Sequence, residues 1–482
     1  MNQPFQAPLT IYVLWHHMYS EGRMIAERIF STYNRDARDP LTRRAGIPVV
    51  FRTGGSTDGG VAPRPIAWEE SQRNAIVLLV EDYMVIDPVW QAYAQALDAE
   101  AQRSGGGVRL FPVAINGNAF SFPVASTNYI RLFESDQKFA SPSVPPPPTA
   151  PPSPPAASAP SVTAAPAAEG GVNTQVTLPN GTTVSIQVNI NIQTSPEEQV
   201  MDLAVATEAV EIDAEKFAWR LEFLIGKLTH ELCRFLFDLV GGGGVVGEYQ
   251  RAAPVRLFIS HAKADGTDIA ERIRNHIHAD TSLKSFFDAN DIAAGHRFSD
   301  ELHNAIAESA IISVQTDKYA TREWCLWEVI TAKRLDRPVV VLNAVAENEP
   351  RSFPYLGNVP TMRWKPEHPD MHRQISQAIT LALFEVLNHK YHRLFEEEIV
   401  GLYQLSPDTT VLGHPPELFT ILRLREMAEQ AHKTPENRLL VVYPDPPLGD
   451  EEVRLLEELA PALRFVTPTV CSTLSLENTS HD

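Results

Sequence analysis

A carboxylate that follows a tryptophan by one helical turn is the pattern in this chain with the clearest chemical potential. Segment 318–330 reads KYATREWCLWEVI and comes after a short apolar strand, Ala310–Val314. Within it, Trp324 and Glu328 stand four residues apart, so they share one face of the predicted helix. Ligands of parallel α/β sheets bind at the carboxyl ends of the strands, where this helix begins. A carboxylate there can hydrogen-bond ligand hydroxyls and stabilise positive charge that develops in a transition state.

Two segments upstream place polar residues directly after predicted strands. The first predicted strand leads into a loop that contains Ser260, His261 and Lys263. The second predicted strand begins at Phe286 and leads into a loop that contains Gly295. Lys263 is either a phosphate contact or a solvated lysine, and Phe286 is either a stacking ring or a core residue. Gly295 is predicted to supply a backbone angle that other residues resist.

In this order the three segments resemble the Toll/interleukin-1 receptor (TIR) domain family, particularly its NAD-cleaving bacterial branch. The resemblance runs from about Val255 to Trp364. It implies a flavodoxin-like fold, NAD+ as the substrate and Glu328 as the catalytic residue. For Trp324 a packing role explains the residue equally well. By resemblance, the NAD-binding residues are Ser260, His261, Lys263, Phe286, Gly295 and Trp324.

The implied reaction needs only one acidic residue. Cleavage of the nicotinamide–ribose bond creates an oxocarbenium-like centre, which a single carboxylate can stabilise through the ribose hydroxyls. The nicotinamide leaving group is already cationic, so it needs no general acid, unlike the leaving group in O-glycoside hydrolysis. The alternative interpretation of Glu328 is an ion-pairing acid on an exposed helix.

Composition excludes several other classes of function. The net charge of −19 argues against nucleic acid or an anionic membrane as a broad-surface partner. The three cysteines are far apart and lack metal-ligand spacing, which favours reduced thiols. No run of ~18 apolar residues and no signal-peptide pattern is present, so we expect a soluble, cytoplasmic protein. Glycine-rich dinucleotide or Walker loops are also missing, which argues against hydride transfer and nucleotide hydrolysis.

A metal cofactor is not expected. His389 and His392 share a helical face, but the sequence offers no cysteine or third histidine close to them. We therefore predict no metal site and no cofactor, with NAD+ bound only as a substrate.

The fold class is predicted to be α/β, with two TIR/flavodoxin-like three-layer domains that contain parallel sheets. A proline-rich linker, a hairpin and a helix join them, and a small α/β unit follows. The predicted segments are a divergent TIR-like domain at 1–137, a Pro/Ala-rich linker at 138–171, a β-hairpin at 172–194, a helical segment with a glycine hinge at 195–244, the TIR domain at 252–368, a long helix at 369–400, an α/β unit at 401–470 and a disordered tail at 471–482.

An internal repeat supports the presence of the first TIR-like domain. The sequence IAERI occurs at 25–29 and again at 269–273, at nearly the same distance from an apolar strand. Trp90 in the first copy corresponds to Trp324 in the second. Four residues beyond Trp90 the first copy has Ala94, where the second has Glu328, so the first copy is predicted to lack the catalytic acid.

Two functions of different classes follow from these patterns. The first is a NAD+ glycohydrolase, switched on by self-association, that releases ADP-ribose or a cyclic ADP-ribose-type product. The resemblance implies a role in bacterial anti-phage defence, with other defence-system proteins as further partners. The second is a non-catalytic scaffold that signals through TIR–TIR docking. Self-association is also favoured by the hairpin at 172–194 and by an apolar helical stripe from Phe217 to Phe235, which is either core-facing or partner-facing.

Overall fold

Two compact units make up the chain, one formed by residues 1–131 with 223–482 and the other by residues 132–222. Among the described residues, none of the helices combines the length and the hydropathy that a membrane span requires. A computed structural model describes residues 5–34, 45–53, 63–124, 128–135, 172–177, 183–188, 196–237, 255–280, 284–286, 298–347, 353–356 and 358–471.

The N-terminal domain is built on a parallel sheet of five strands in the order β2-β1-β3-β4-β5. Its central strands are apolar on both faces and almost completely buried, as expected for a parallel sheet covered by helices. Helix α1 spans Gly22–Tyr33, α2 spans Asp82–Ile86 and α3 spans Pro88–Arg103. The strands are β1 (Thr10–Trp15), β2 (Val49–Thr53), β3 (Asn74–Val80), β4 (Val108–Ala114) and β5 (Ile130–Arg131).

The second large domain repeats this topology. Its five strands pair in parallel in the order β9-β8-β10-β11-β12, so each of them takes the place of its counterpart in the first sheet. Helix α5 spans Thr267–Asp280, α6 spans Phe298–Ala307 and α7 spans Glu323–Arg334. The strands are β8 (Arg256–His261), β9 (Lys284–Phe286), β10 (Ser309–Gln315), β11 (Val339–Asn343) and β12 (Thr361–Arg363).

The predicted fold class of two flavodoxin-like α/β domains with parallel sheets is therefore confirmed. In this strand order the chain reverses its direction of winding between the first and third strands of each sheet, and that switch point opens a crevice beyond the strand ends. In the second domain the crevice lies after His261 of β8 and Gln315 of β10.

A hairpin and a long helix connect the two domains in sequence. Strands β6 (Val172–Thr177) and β7 (Thr183–Val188) pair antiparallel, as predicted, and helix α4 spans Pro196–Phe237. The proline-rich linker at 138–171, the turn at 178–182 and the glycine hinge at 241–244 lie outside the described residues.

The C-terminal part of α4 packs within the chain. Leu228 and Leu232 are completely buried. Its contacts reach the N-terminal domain, where the Tyr33 and Thr229 hydroxyls are 2.8 Å apart. On another side, Cys233 Sγ donates to the Leu383 carbonyl at 3.4 Å. From residue 223 onward the apolar stripe is therefore part of the core. The sequence predicts that the stripe is either core-facing or partner-facing, and this part of it no longer supports self-association.

The remaining chain consists of a long helix and a small parallel sheet. Helix α8 spans Met371–Leu402, close to the predicted 369–400. The small sheet has the order β13-β14-β15 and lies within the segment 401–470, where a small α/β unit is predicted. Its elements are β13 (Thr410–Val411), helix α9 (Leu418–Gln430), β14 (Leu439–Val442), helix α10 (Asp450–Leu459) and β15 (Leu463–Val466). The predicted disordered tail lies outside the described residues from position 472 onward.

Close packing of the small unit on α8 at Gly413 gives a direct test of this arrangement. A Cβ atom at Gly413 would lie 2.3 Å from the His389 carbonyl oxygen, whereas one at Gly401 would meet nothing within 4 Å. Gly413→Ala should therefore cost about 1–3 kcal/mol through overpacking. Gly401→Ala, in the last turn of α8, should be neutral or stabilise by up to ~1 kcal/mol. Thermal unfolding of both variants measures the difference, and equal midpoints would contradict the packing.

Candidate active site

Glu328 lies at the switch point of the second domain, one turn into α7. Its carboxylate Oε2 accepts a hydrogen bond of 2.5 Å from Ser260 Oγ at the end of β8. The Tyr319 hydroxyl lies 2.7 Å from the same Ser260 Oγ. Because a serine hydroxyl has one proton and the carboxylate takes it, Tyr319 donates to Ser260, which donates to Glu328. This chain of hydrogen bonds connects the end of β8, the short turn Tyr319–Thr321 that follows β10, and helix α7.

Burial fixes the protonation of Tyr319 and the orientation of Glu328 in this network. Ser260 and Tyr319 are buried, while Glu328 is only partly buried and keeps a boundary with solvent. Burial, together with the nearby Cys325 and Glu328, holds the pKa of Tyr319 well above its usual range. Tyr319 therefore remains a neutral donor at physiological pH. Charge-assisted hydrogen bonds of this kind are short and strong, so they restrict the rotation of the Glu328 side chain.

The loops on either side of the crevice are fixed to each other by Asp265. Its carboxylate accepts from Thr316 Oγ1 at 2.7 Å and from the Lys318 backbone N–H at 2.9 Å. The loop after β8 is thereby held against the loop after β10. Sequence reasoning missed both Asp265 and Tyr319, although each stands inside a segment singled out for other residues.

The other predicted site residues of the same region differ in their exposure. His261 is buried, and its carbonyl accepts from Cys325 Sγ at 3.4 Å. Lys263 is exposed in the loop before α5. Trp324 is 54% exposed and makes an edge contact with Trp327, with ring centroids 5.8 Å apart. Its exposure shows that Trp324 is not a core residue, so its indole is available at the surface one turn before Glu328.

Two predicted residues cannot be placed in this site. Phe286 is the last residue of β9, at the same sheet edge, and its side chain is not among those described. Gly295 lies outside the described residues. Their roles as NAD-binding residues stay predictions.

The equivalent position of the N-terminal domain is closed. Trp90 is completely buried and Ala94 is 1% exposed, both on α3. The His16 ring lies 6.0 Å from the Trp90 ring and 3.3 Å, through Nε2, from an oxygen of Asp87. Side chains therefore enclose Trp90 in the first domain, whereas Trp324 is exposed in the second, and the first domain offers no carboxylate at position 94.

Asp336, His389 and His414 form a cluster away from this crevice. One ligand atom from each lies within 4.8 Å of the others, a spacing that could suit a metal ion. However, His414 Nε2 is 2.5 Å from Asp336 Oδ1 and His414 Nδ1 is 2.6 Å from the Pro415 carbonyl. Both nitrogens face acceptors, which is the arrangement of a protonated histidine paired with a carboxylate. The sequence pattern puts His389 and His392 on one helical face, whereas the structure places the His389 ring against that of His414, with ring centroids 4.6 Å apart.

The family model for the TIR domain matches residues 257–375. These residues form a TIR domain. Among solved structures, the chain is similar to the TIR domains of the activated Roq1 resistosome directly recognizing the pathogen effector XopQ. That similarity has 24% sequence identity and a TM-score of 0.17, and it covers 18% of this chain and 56% of the other. The search of curated proteins gives no match.

The chain therefore spans little more than half the length of the resistosome chain that it matches. Assignment to the TIR family rests on the family model, whose 257–375 match contains both Ser260 and Glu328. The switch-point geometry of the second domain agrees with that assignment. The 1–131 domain shares the strand order of the TIR domain but lies outside the matched residues.

The thiol beside the site should be chemically inert, which tests how tightly the site is packed. Burial and the nearby Glu328 raise the pKa of Cys325 to about 12, so only about one in ten thousand thiols is ionised at pH 8. The Cys325 peptide should stay unmodified when native protein is treated with iodoacetamide at pH 8. It should react fully in guanidinium chloride. Rapid labelling of the native protein, measured by peptide mass, would show that this packing is wrong.

Proposed function

We propose that the TIR domain cleaves the nicotinamide–ribose bond of NAD+, with Glu328 as its catalytic carboxylate. The observation that carries the proposal is the Tyr319–Ser260–Glu328 hydrogen-bond chain at the sheet's switch point. It positions a partly exposed carboxylate at the edge where ligands of parallel α/β sheets bind. The TIR family includes NAD-cleaving enzymes, so this geometry supports NAD+ cleavage as the activity of the domain.

The chemistry is balanced with a single acid. The C–N bond breaks, and its electron pair goes to the pyridinium nitrogen, which leaves as neutral nicotinamide. Water attacks the anomeric carbon and loses a proton to Glu328 or to solvent, giving ADP-ribose and one proton. A ring nitrogen of the adenine that attacks instead of water gives a cyclic product. In both cases the carboxylate stabilises the oxocarbenium-like centre through the ribose hydroxyls.

Neighbouring side chains complete this proposal. Trp324 presents an exposed indole one turn from Glu328, and an aromatic face of this kind can stack on a nicotinamide or adenine ring. Lys263 supplies local positive charge in a chain with a net charge of −19, so it can face the diphosphate. The roles of Ser260 and Tyr319 are to hold the carboxylate, because both are buried behind it.

A non-catalytic scaffold is the second candidate function. It is favoured by the closed N-terminal domain, where Trp90 is buried and Ala94 replaces the acid. A domain of that kind can contribute contacts without chemistry. An assay for NAD+ cleavage separates the two candidates, since a scaffold leaves the dinucleotide intact. The proposal of NAD+ cleavage includes a cytoplasmic role in bacterial anti-phage defence, together with other defence-system proteins.

Replacement of Glu328 by glutamine should reduce NAD+ cleavage by about 10²–10³-fold or more, because the charge that stabilises the transition state is lost. The matched control is Glu323→Gln, which removes the same charge from an exposed position on α7. It should retain wild-type turnover. Products are resolved by chromatography after incubation with NAD+. Equal turnover in Glu328→Gln and the wild type would contradict the catalytic assignment, while an inactive wild type would favour the scaffold.

Activity should rise with protein concentration, since TIR domains commonly act through self-association and the proposed enzyme is switched on by it. A tenfold dilution series, read as specific activity with light scattering in parallel, should show a drop in turnover as assemblies dissociate. Constant specific activity from a protein that remains monomeric throughout would exclude activation by association.

A further inference from the structure

A second cavity lies at the carboxyl ends of the small C-terminal sheet. It has a volume of about 310 Å³, and its lining includes Asp445 after β14 and Thr469 after β15. Helix α8 contributes Tyr391 and Glu396 to the opposite wall. Loops that follow adjacent parallel strands are the usual place for ligands in α/β sheets. The size is at the lower end for small-molecule sites.

Glu396 is the unusual residue of this cavity. The residue is 0% exposed, and neither of its carboxyl oxygens has a hydrogen-bond partner in the described part of the chain. Asp445 repeats the pattern in part, because its Oδ1 is buried without a partner while its Oδ2 accepts from Thr469 Oγ1 at 2.9 Å. Buried polar atoms are almost always paired in native proteins, since leaving one unpaired costs about 1–3 kcal/mol. In the described part of the chain, three carboxyl oxygens of this cavity therefore lack a hydrogen-bond donor.

The charge of the lining residues determines which kind of hydrogen-bond-donating ligand the cavity would bind. The described residues that line the cavity include no lysine or arginine, so a phosphate-bearing ligand would face Glu396 and Asp445 without a basic side chain from either of those types among them. Burial, and then the charge of Asp445, raise the pKa of Glu396 to about 9. Near pH 7 Glu396 is therefore a neutral acid beside Asp445. The other titratable groups that line the cavity or interact with its two acids are Tyr391, His392, Tyr403 and Cys471.

The walls distinguish an organic cation from a metal ion. Tyr391, Phe395 and Tyr403 present aromatic rings, which attract ammonium and guanidinium groups. A divalent ion would instead need several convergent oxygen ligands. Among the described residues, the one group of three acidic, histidine or cysteine ligand atoms within 4.8 Å of one another is Asp336, His389 and His414, and no such group lies at this cavity.

We propose that this cavity binds a small organic cation, with the ammonium or guanidinium group held between Glu396 and Asp445 and its apolar part against the tyrosines. Such a ligand supplies the missing donors to both carboxyl groups. Its charge favours the ionised form of Glu396, so binding should release a proton and should tighten as the pH rises towards 9. The proposal is independent of NAD+ cleavage.

Calorimetric titration of the full chain with tyramine, agmatine and spermidine tests the proposal. Tyrosol, which replaces the ammonium of tyramine by a hydroxyl, is the uncharged control. At least one of the three amines should bind saturably. If tyramine binds, its affinity should be at least tenfold higher than that of tyrosol. Its binding enthalpy should vary with the ionisation enthalpy of the buffer, because a proton is released. Glu396→Gln should weaken binding at least tenfold, whereas Glu397→Gln, an exposed acid on the same helix, should not.

Several results would overturn the inference. These are no binding of any of the three amines at ~10 mM, equal affinity for tyrosol and tyramine, or equal loss of binding in both glutamine variants. Saturable binding of MgCl₂ that depends on Glu396, without amine binding, would assign the cavity to a metal instead. If Glu396→Gln fails to fold by circular dichroism, Asp445→Asn takes its place with the same expected loss.

Discussion

Every parallel sheet with the strand order 2-1-3-4-5 must wind in two directions from its first strand, and that requirement positions the chemistry of this chain. The connections on either side of the switch point leave on opposite faces, so nothing in the sheet itself fills the space beyond the strand ends. In the TIR domain, Ser260 and Tyr319 stand on the two sides of that space, and Glu328 completes the group from α7. The same constraint operates in the N-terminal domain, where Trp90 and His16 occupy the space instead.

Much of this could be predicted from local pattern. The buried strands are continuous apolar runs, the IAERI repeat related the two domains, and the four-residue spacing of Trp324 and Glu328 put them on one helical face. These are short-range signals, in which the period of the sequence directly reflects the period of the backbone. The same reasoning gave the hairpin strands and a helical segment from residue 195, next to the observed start of α4 at Pro196.

The features that escaped prediction depend on contacts between distant residues. Asp336 meets His414 across 78 positions, so no local period connects them. Glu396 reads in sequence as one of three consecutive acids on a helix, and only packing distinguishes the buried one from its exposed neighbour Glu397. Burial of the α4 stripe was undecidable for the same reason, because a core and an interface have the same apolar pattern.

Helix α4 also has a consequence for how the protein can be divided. Its C-terminal part contacts Tyr33 of the first domain, and it approaches α8 so closely that a Cβ at Gly226 would meet Thr380 Oγ1 at 2.9 Å. A fragment that starts at the TIR domain would leave the facing side of α8 uncovered, with apolar surface exposed to water. Such a fragment carries an aggregation risk unrelated to its catalytic residues. Loss of function on truncation would then report on solubility before it reported on regulation.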